Sequence, residues 1–185
     1  MKERSSTKTS TGQRLPGGRQ LRPAMARGER GQDAIALLKA DHREVADMVE
    51  SFEKARGADK ASLARQIAAA LTVYARIEEE LLYPQAREAL DEEDRDLIDE
   101  AEVEHASIKQ LVAEIERGTP EDEHFDARVK VVGEYVQHHV KEEERKLFPL
   151  LRKAKLDLKE LGAQLATRKA ELASEIEEGP KPSRH

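Results

Sequence analysis

Apolar residues recur every three or four positions along four long stretches of this chain, the spacing that lines one face of an α-helix. The first stripe is Ile35, Leu38, His42, Val45, Val49 and Phe52, on a helix expected from about Asp33 to Ala55 and stopped by Arg56-Gly57, a left-handed cap signal. The second, from about Asp59 to Leu90, reads Ile67, Leu71, Tyr74, Glu78 and Leu82. The third, from about Glu92 to Arg117, reads Ile98, Ala101, His105, Ile108, Val112 and Ile115, and ends at Gly118. Thr119-Pro120-Glu121-Asp122 then reads as the start of a fourth helix, with a capping hydroxyl, a proline in the first turn and an acid three residues on. Its stripe is Val129, Val132, Val136, His139, Glu143, Leu147 and Leu150. Short connections make neighbours antiparallel, so the expected fold is all-α, an up-down-up-down four-helix bundle. A further stripe, Leu158, Leu161, Leu165, Leu172 and Ile176, predicts an additional C-terminal helix along the outside or extending the last one.

Polar residues interrupt every stripe. His42, Tyr74, Glu78, His105, His139 and Glu143 all occupy positions that face the core, at depths that agree within a turn or two. Two carboxylates in one bundle core repel each other, and each costs several kcal/mol unless it is paired or bound to a cation. No Lys or Arg lies on the four stripes to pair with them. A metal ion satisfies carboxylates and imidazoles together, and helix bundles build such sites from inward side chains on facing helices. Residues four apart stack on one face, which makes Tyr74/Glu78 and His139/Glu143 ready ligand pairs. Carboxylates between two metals with imidazoles at the ends suit iron or manganese. A single core histidine is more often hydrogen-bonded to a neighbour than a ligand, and Tyr74 is either a ligand or a core ring whose hydroxyl bonds a glutamate. Six such residues at matched depth on four helices together point to a metal.

An internal repeat supports it. Tyr74-Ala-Arg-Ile-Glu78-Glu79-Glu80-Leu-Leu-Tyr83-Pro84 aligns with His139-Val-Lys-Glu-Glu143-Glu144-Arg145-Lys-Leu-Phe148-Pro149. His42 precedes its pair by 32 residues and His105 precedes its own by 34, so two helical halves would form a pseudo-twofold site. Pro84 and Pro149, six residues past each glutamate, are expected to kink or end their helices.

Composition narrows the field. The 185 residues include no Cys and no Trp, which excludes disulfides, zinc ribbons, iron–sulfur clusters and thiol catalysis. No apolar run is long enough to span a membrane. Residues 1–31 carry a charge of +6 against −12 for the remainder, and lack an apolar period. They read as a disordered basic arm, without the aromatics that stack on bases, so specific nucleic-acid binding is not expected. The expected organisation is this arm (1–31), the bundle (32–155), a C-terminal helix (156–178) and a flexible tail (179–185).

Leu38-Lys-Ala-Asp41-His42-Arg, Glu78-Glu79-Glu80-Leu-Leu-Tyr83-Pro84, Glu104-His105 and His139-Val-Lys-Glu-Glu143-Glu-Arg-Lys-Leu-Phe148-Pro149 together resemble the hemerythrin-like HHE cation-binding domains of bacteria, over about residues 33–153. The resemblance implies a bundle holding a non-haem di-iron centre with an oxo or hydroxo bridge. Glu78 and Glu143 would bridge the irons, with His42, His105 and His139 as terminal ligands. Two positions depart from the family. Tyr74 stands where a histidine is usual, and Lys109 stands four residues after His105, where oxygen-carrying members place another histidine. A phenolate favours ferric iron, which turns the expectation from reversible oxygen carriage toward catalase-like peroxide chemistry.

Neighbouring groups are read more plainly. His138 is expected to pair with Glu142, and His124 and His185 to be exposed; Glu104 either supports a ligand from behind or lies at the surface, the surface being the favoured reading, and Glu144 is a reserve ligand. The expected function is a cytoplasmic, stress-responsive di-iron protein that binds or reacts with oxygen, peroxide or nitric oxide, or senses iron or oxygen. Manganese and zinc are alternative metals. A metal-ordered regulatory module, with a protein partner on the basic arm or last helix, is the second reading. A metal-free structural bundle is the third.

Overall fold

The computed structural model describes residues 31–178, so the basic arm, apart from Gly31, and the tail lie outside the described residues. The helices are α1 (Ala34–Lys54), α2 (Ala58–Ile77), α3 (Tyr83–Ala89), α4 (Asp96–Arg117), α5 (Phe125–Glu142), α6 (Phe148–Lys153) and α7 (Leu158–Glu178), with no strand among the described residues. Asp33 caps α1 by accepting from the Ala36 N–H at 2.8 Å. The left-handed cap expected at Arg56-Gly57 is not formed: α1 ends at Ala55 in extended backbone, and Gly57, at φ +55° and ψ −132°, instead stands at the N-cap of α2 in a positive-φ conformation that suits glycine.

α1 packs against α2 and α5, and α4 packs against the same two, closing a four-sided bundle. Its interior holds two apolar clusters. One gathers Leu38, Ile77, Leu82, Ala101 and Leu147; the other gathers Val45, Leu71, Ile108, Val132 and Val136. α1, α2 and α4 each pass from one cluster to the other, α5 reaches the first through Leu147 just past its end, and the polar stripe residues sit at or beside the crossing. α7 lies along the outside against α1 and α2, burying Leu161, Leu165 and Leu172, while Ile176 at its end is 43% exposed. Gly162 permits the close crossing: a Cβ there would stand 2.5 Å from the Gln32 carbonyl oxygen and 2.8 Å from the Ala34 nitrogen.

Two further expectations are corrected. Neither proline ends its helix. Glu78–Leu82 and Glu143–Leu147 form single π-helical turns, in which the Tyr83 N–H donates to the Glu78 carbonyl and the Phe148 N–H to the Glu143 carbonyl. A proline lacks an N–H and crowds the carbonyl four residues back, and the wider turn before each one relieves that crowding. The extra residue also turns the stripe, so Leu151 is buried where Leu150 is only partly so. The second correction concerns Thr119, which caps no helix. Its N–H donates to Asp122 at 2.8 Å in a local turn, and α5 begins only at Phe125.

Candidate metal centre

Each half of the bundle delivers its ligand candidates from the helix crossing just described. The π turns begin at Glu78 and Glu143 themselves, so both carboxylates leave the backbone where its geometry is widened. His42, Tyr74, Glu78, His105, His139 and Glu143 are all buried, at 5% exposure or less, and all six meet in one layer. Ligand atoms of Glu78, His105 and His139 lie within 4.8 Å of one another, as do those of His42, Glu78 and Glu143. Tyr74 Oη sits among them: 2.8 Å from His42 Nε2, 3.3 Å from His139 Nε2, and donating to Glu143 Oε2 at 2.8 Å. The site is lined by a seventh residue that sequence reasoning did not single out. Tyr83 Oη donates to Glu143 Oε1 at 3.1 Å and lies 3.3 Å from His105 Nε2. The repeat pairs Tyr83 with Phe148, which stacks on His42 at 5.8 Å between ring centroids; the phenol hydroxyl is what the alignment adds at Tyr83.

Behind the inner residues stands an outer layer of carboxylates. His42 Nδ1 is 2.9 Å from Glu144, His105 Nδ1 is 3.0 Å from Glu79, and His139 Nδ1 is 2.8 Å from Glu104. An ionised carboxylate only accepts, so each Nδ1 carries a hydrogen, and whenever the ring is neutral its Nε2 turns a lone pair to the core. Such outer partners fix the tautomer and aim of metal-binding histidines. Glu144, held in reserve as a ligand, instead orients His42 and takes Lys39 on its other oxygen at 2.8 Å. Glu104, expected at the surface, is half-buried behind His139. His138 approaches that same Glu104 at 3.4 Å, while Glu142 pairs with Lys146, so the expected His138–Glu142 pair gives way. Lys109, at the position of the missing histidine, faces outward and binds both oxygens of Glu79 at 2.8 and 2.9 Å. His124 is exposed, as expected, and His185 lies outside the described residues.

Among the described residues one buried carboxyl is left without a hydrogen bond. Both oxygens of Glu78 are buried with no hydrogen-bond partner among the described residues. Burial pushes its carboxyl well above the usual carboxylate range, and the nearby Glu143 charge pushes it further. Burial acts on Glu143 too, but the charge of His139, the His42 ring 3.5 Å away and a hydrogen bond from Tyr74 outweigh it and hold Glu143 at about 2. His105 is lowered to about 4 by burial and by His139, so its ring stays neutral at neutral pH. Burial would also lower His139, but Glu143 and Glu104 outweigh it and raise this ring. Tyr74 and Tyr83 are driven well above the ordinary phenol value by burial and by Glu143, so both remain protonated here. The centre leaves Glu78 to take a proton or a cation, and its carboxylate, imidazole and phenol donors suit a first-row transition metal.

An all-helical bundle with histidines and carboxylates converging in its core defines a class of cation-binding proteins, and comparison with known proteins gives the family. The chain belongs to the Hemerythrin HHE cation binding domain family, whose model matches residues 33–151. A hemerythrin HHE cation binding domain-containing protein from Mycobacterium kansasii, solved by crystallography, superposes with a TM-score of 0.67 over 77% of this chain and 88% of that one, at 22% identity. A protein of Nostoc sp. (strain PCC 7120) named DNA nickase is 30% identical over 118 residues, 63% of this chain. The matched segment is 32% of that relative's length, so this chain spans about a third of it. No described helix is long and apolar enough to cross a membrane.

Proposed function

We propose that the buried layer holds two metal ions, iron before manganese or zinc. Glu78 and Glu143 would be shared between them, and His42, Tyr74, His105 and His139 would be terminal ligands. The observation that carries this reading is Glu78, a carboxylate with both oxygens buried and without a hydrogen-bond partner among the described residues, close to three imidazoles. The run of α1, α2 and α4 between the two apolar clusters supports an up-down-up-down bundle around it, within a domain of about residues 32–155.

Bound iron supplies redox chemistry and an affinity for small oxygen-containing molecules, with oxygen, peroxide and nitric oxide as the candidate ligands or substrates. The residues themselves aim and insulate. Glu79, Glu104 and Glu144 hold three Nε2 lone pairs toward the centre, Phe148 stacks over His42, and Tyr83 reaches Glu143 from the opposite side. Tyr74 enters as a phenol bonded to Glu143 and would shed its proton on binding a metal. That hard oxygen donor favours ferric iron, which supports peroxide chemistry over reversible oxygen carriage.

Urea unfolding with ferrous iron under anaerobic conditions, beside a chelator-treated sample, tests the reading. Metal that binds only the folded chain adds about 2.7 kcal/mol at about 100 times Kd. Identical unfolding curves would contradict it.

A further inference from the structure

The pseudo-twofold repeat makes a demand that the first half meets in an unusual way. In the second half, Glu104 immediately precedes His105 and accepts from His139 Nδ1 at 2.8 Å. The matching residues of the first half are Asp41, immediately before His42, and Tyr74, which aligns with His139. A tyrosine has no second ring donor, so it cannot serve Asp41 as His139 serves Glu104. Asp41 is nevertheless buried, at 7% exposure, and its Oδ2 has no hydrogen-bond partner among the described residues. The cleft beside it, lined by Asp41, Glu44, Val45, Val73, Tyr74 and Lys169, has about 10 Å³ of space, the lower limit for one water molecule.

The only cation on the walls of that cleft comes from the added helix. Lys169 Nζ of α7 bonds Asp41 Oδ1 and stands 4.0 Å from Glu44. Its side chain is itself only 16% exposed. We infer that Lys169 stands in for the imidazole N–H that the first half lacks, so that α7 completes the outer carboxylate layer on the Tyr74 side. Lys169 is thus a positioning residue: it holds Asp41, and through α1 the adjoining His42, in a core that Tyr74 would otherwise leave with an uncompensated carboxylate. Lys39, Lys109 and His138 stand behind the other three outer carboxylates, but each of those also has a histidine in front. Asp41 has Lys169 in place of both. The inference rests on the proposed equivalence of Tyr74 and His139 about the metal centre, but its test needs no metal.

The experiment is a thermal-melt cycle on the chelator-treated full chain: wild type, Lys169→Met, Tyr74→His, and both together. In the wild-type background Lys169→Met should lower Tm by roughly 5–10 °C, the result of leaving one member of a buried pair alone in a chain of this size. In the Tyr74→His background the loss should fall below half of that, because an imidazole Nδ1–H becomes available to Asp41. Equal losses in the two backgrounds, or no loss in the first, would overturn the inference. Should Lys169→Met not fold, adding Asp41→Asn should restore folding, since a neutral amide needs no counter-charge; a double variant that still fails to fold would also overturn it. Iron content of the same proteins reports on the metal reading separately: an intact cycle with no metal bound would remove that reading and keep the role of Lys169.

Discussion

His105 Nε2 and His139 Nε2 stand 3.1 Å apart, while each ring's Nδ1 is held by a carboxylate. Two lone pairs aimed at one point repel unless a cation lies between them. Glu143 and Glu104 raise the His139 ring against the effect of burial, which favours a proton at that point. The bundle core therefore gathers groups that need a proton or a cation among them.

Glu78 is the sharpest instance, and removing it should stabilise the metal-free protein. Glu78→Met keeps the volume and discards a buried carboxyl that has no hydrogen-bond partner among the described residues, its nearest basic neighbours being the His105 and His139 rings at 3.4 and 4.0 Å. Replacing buried ionic groups by apolar ones of similar size is often stabilising by about 1–4 kcal/mol. The expected outcome is a higher urea midpoint in chelator together with lost metal binding. A lower midpoint would mean that Glu78 has a structural partner.

The histidines should titrate apart. His105 is lowered from the ordinary 6.5 to about 4, chiefly by burial, so the folded chain resists a proton that the unfolded chain accepts below 6.5. Its contribution is absent at neutral pH and turns increasingly unfavourable to folding between 6.5 and 4. His139 is raised and has the opposite sign: its contribution is present below 6.5 and is lost as pH climbs through its folded value. Because the two oppose each other, NMR titration of the individual rings in metal-free protein is the proper measurement. His105 should stay neutral at pH 5.5 while His139 is protonated; both titrating together near 6.5 would contradict the electrostatics.

Gly162 tests how firmly α7 belongs to the bundle. A Cβ there would meet backbone atoms of Gln32 and Ala34, not the yielding end of a side chain. Gly162→Ala should cost about 1–3 kcal/mol, the usual range for overpacking. It should also speed hydrogen exchange along α7 before the four long helices. Unchanged stability would mean that α7 shifts freely over α1.

Much of this was legible in the sequence because the chemistry and the period agree. His42, Tyr74, Glu78, His105, His139 and Glu143 stand out as polar residues on apolar stripes, and all six are buried in one layer. The outer layer was not legible. Glu79, Glu104 and Glu144 lie beside the stripes, where an acid ordinarily faces water, and only the structure shows each one reaching a histidine Nδ1. One signal existed: the repeat places an acid directly after Glu78 and directly after Glu143, and each serves the histidine of the other half. The prolines were expected to kink or end their helices, and only the ending is overturned. Their cost in a regular α-helix is real, but a π turn upstream of each absorbs it, and hydrophobic spacing alone does not report a single widened turn.

The central claim, a di-iron centre with Tyr74 among its ligands, is tested most directly by metal content and visible spectrum together, on wild type and Tyr74→Phe reconstituted with ferrous iron and exposed to air. The account predicts about two irons per chain in the wild type, as in di-iron bundles generally, with a tyrosinate-to-iron absorption band that Tyr74→Phe abolishes. Two irons with an unchanged spectrum would remove Tyr74 from the ligand set. A chain that takes up no iron would contradict the account and leave a structural bundle.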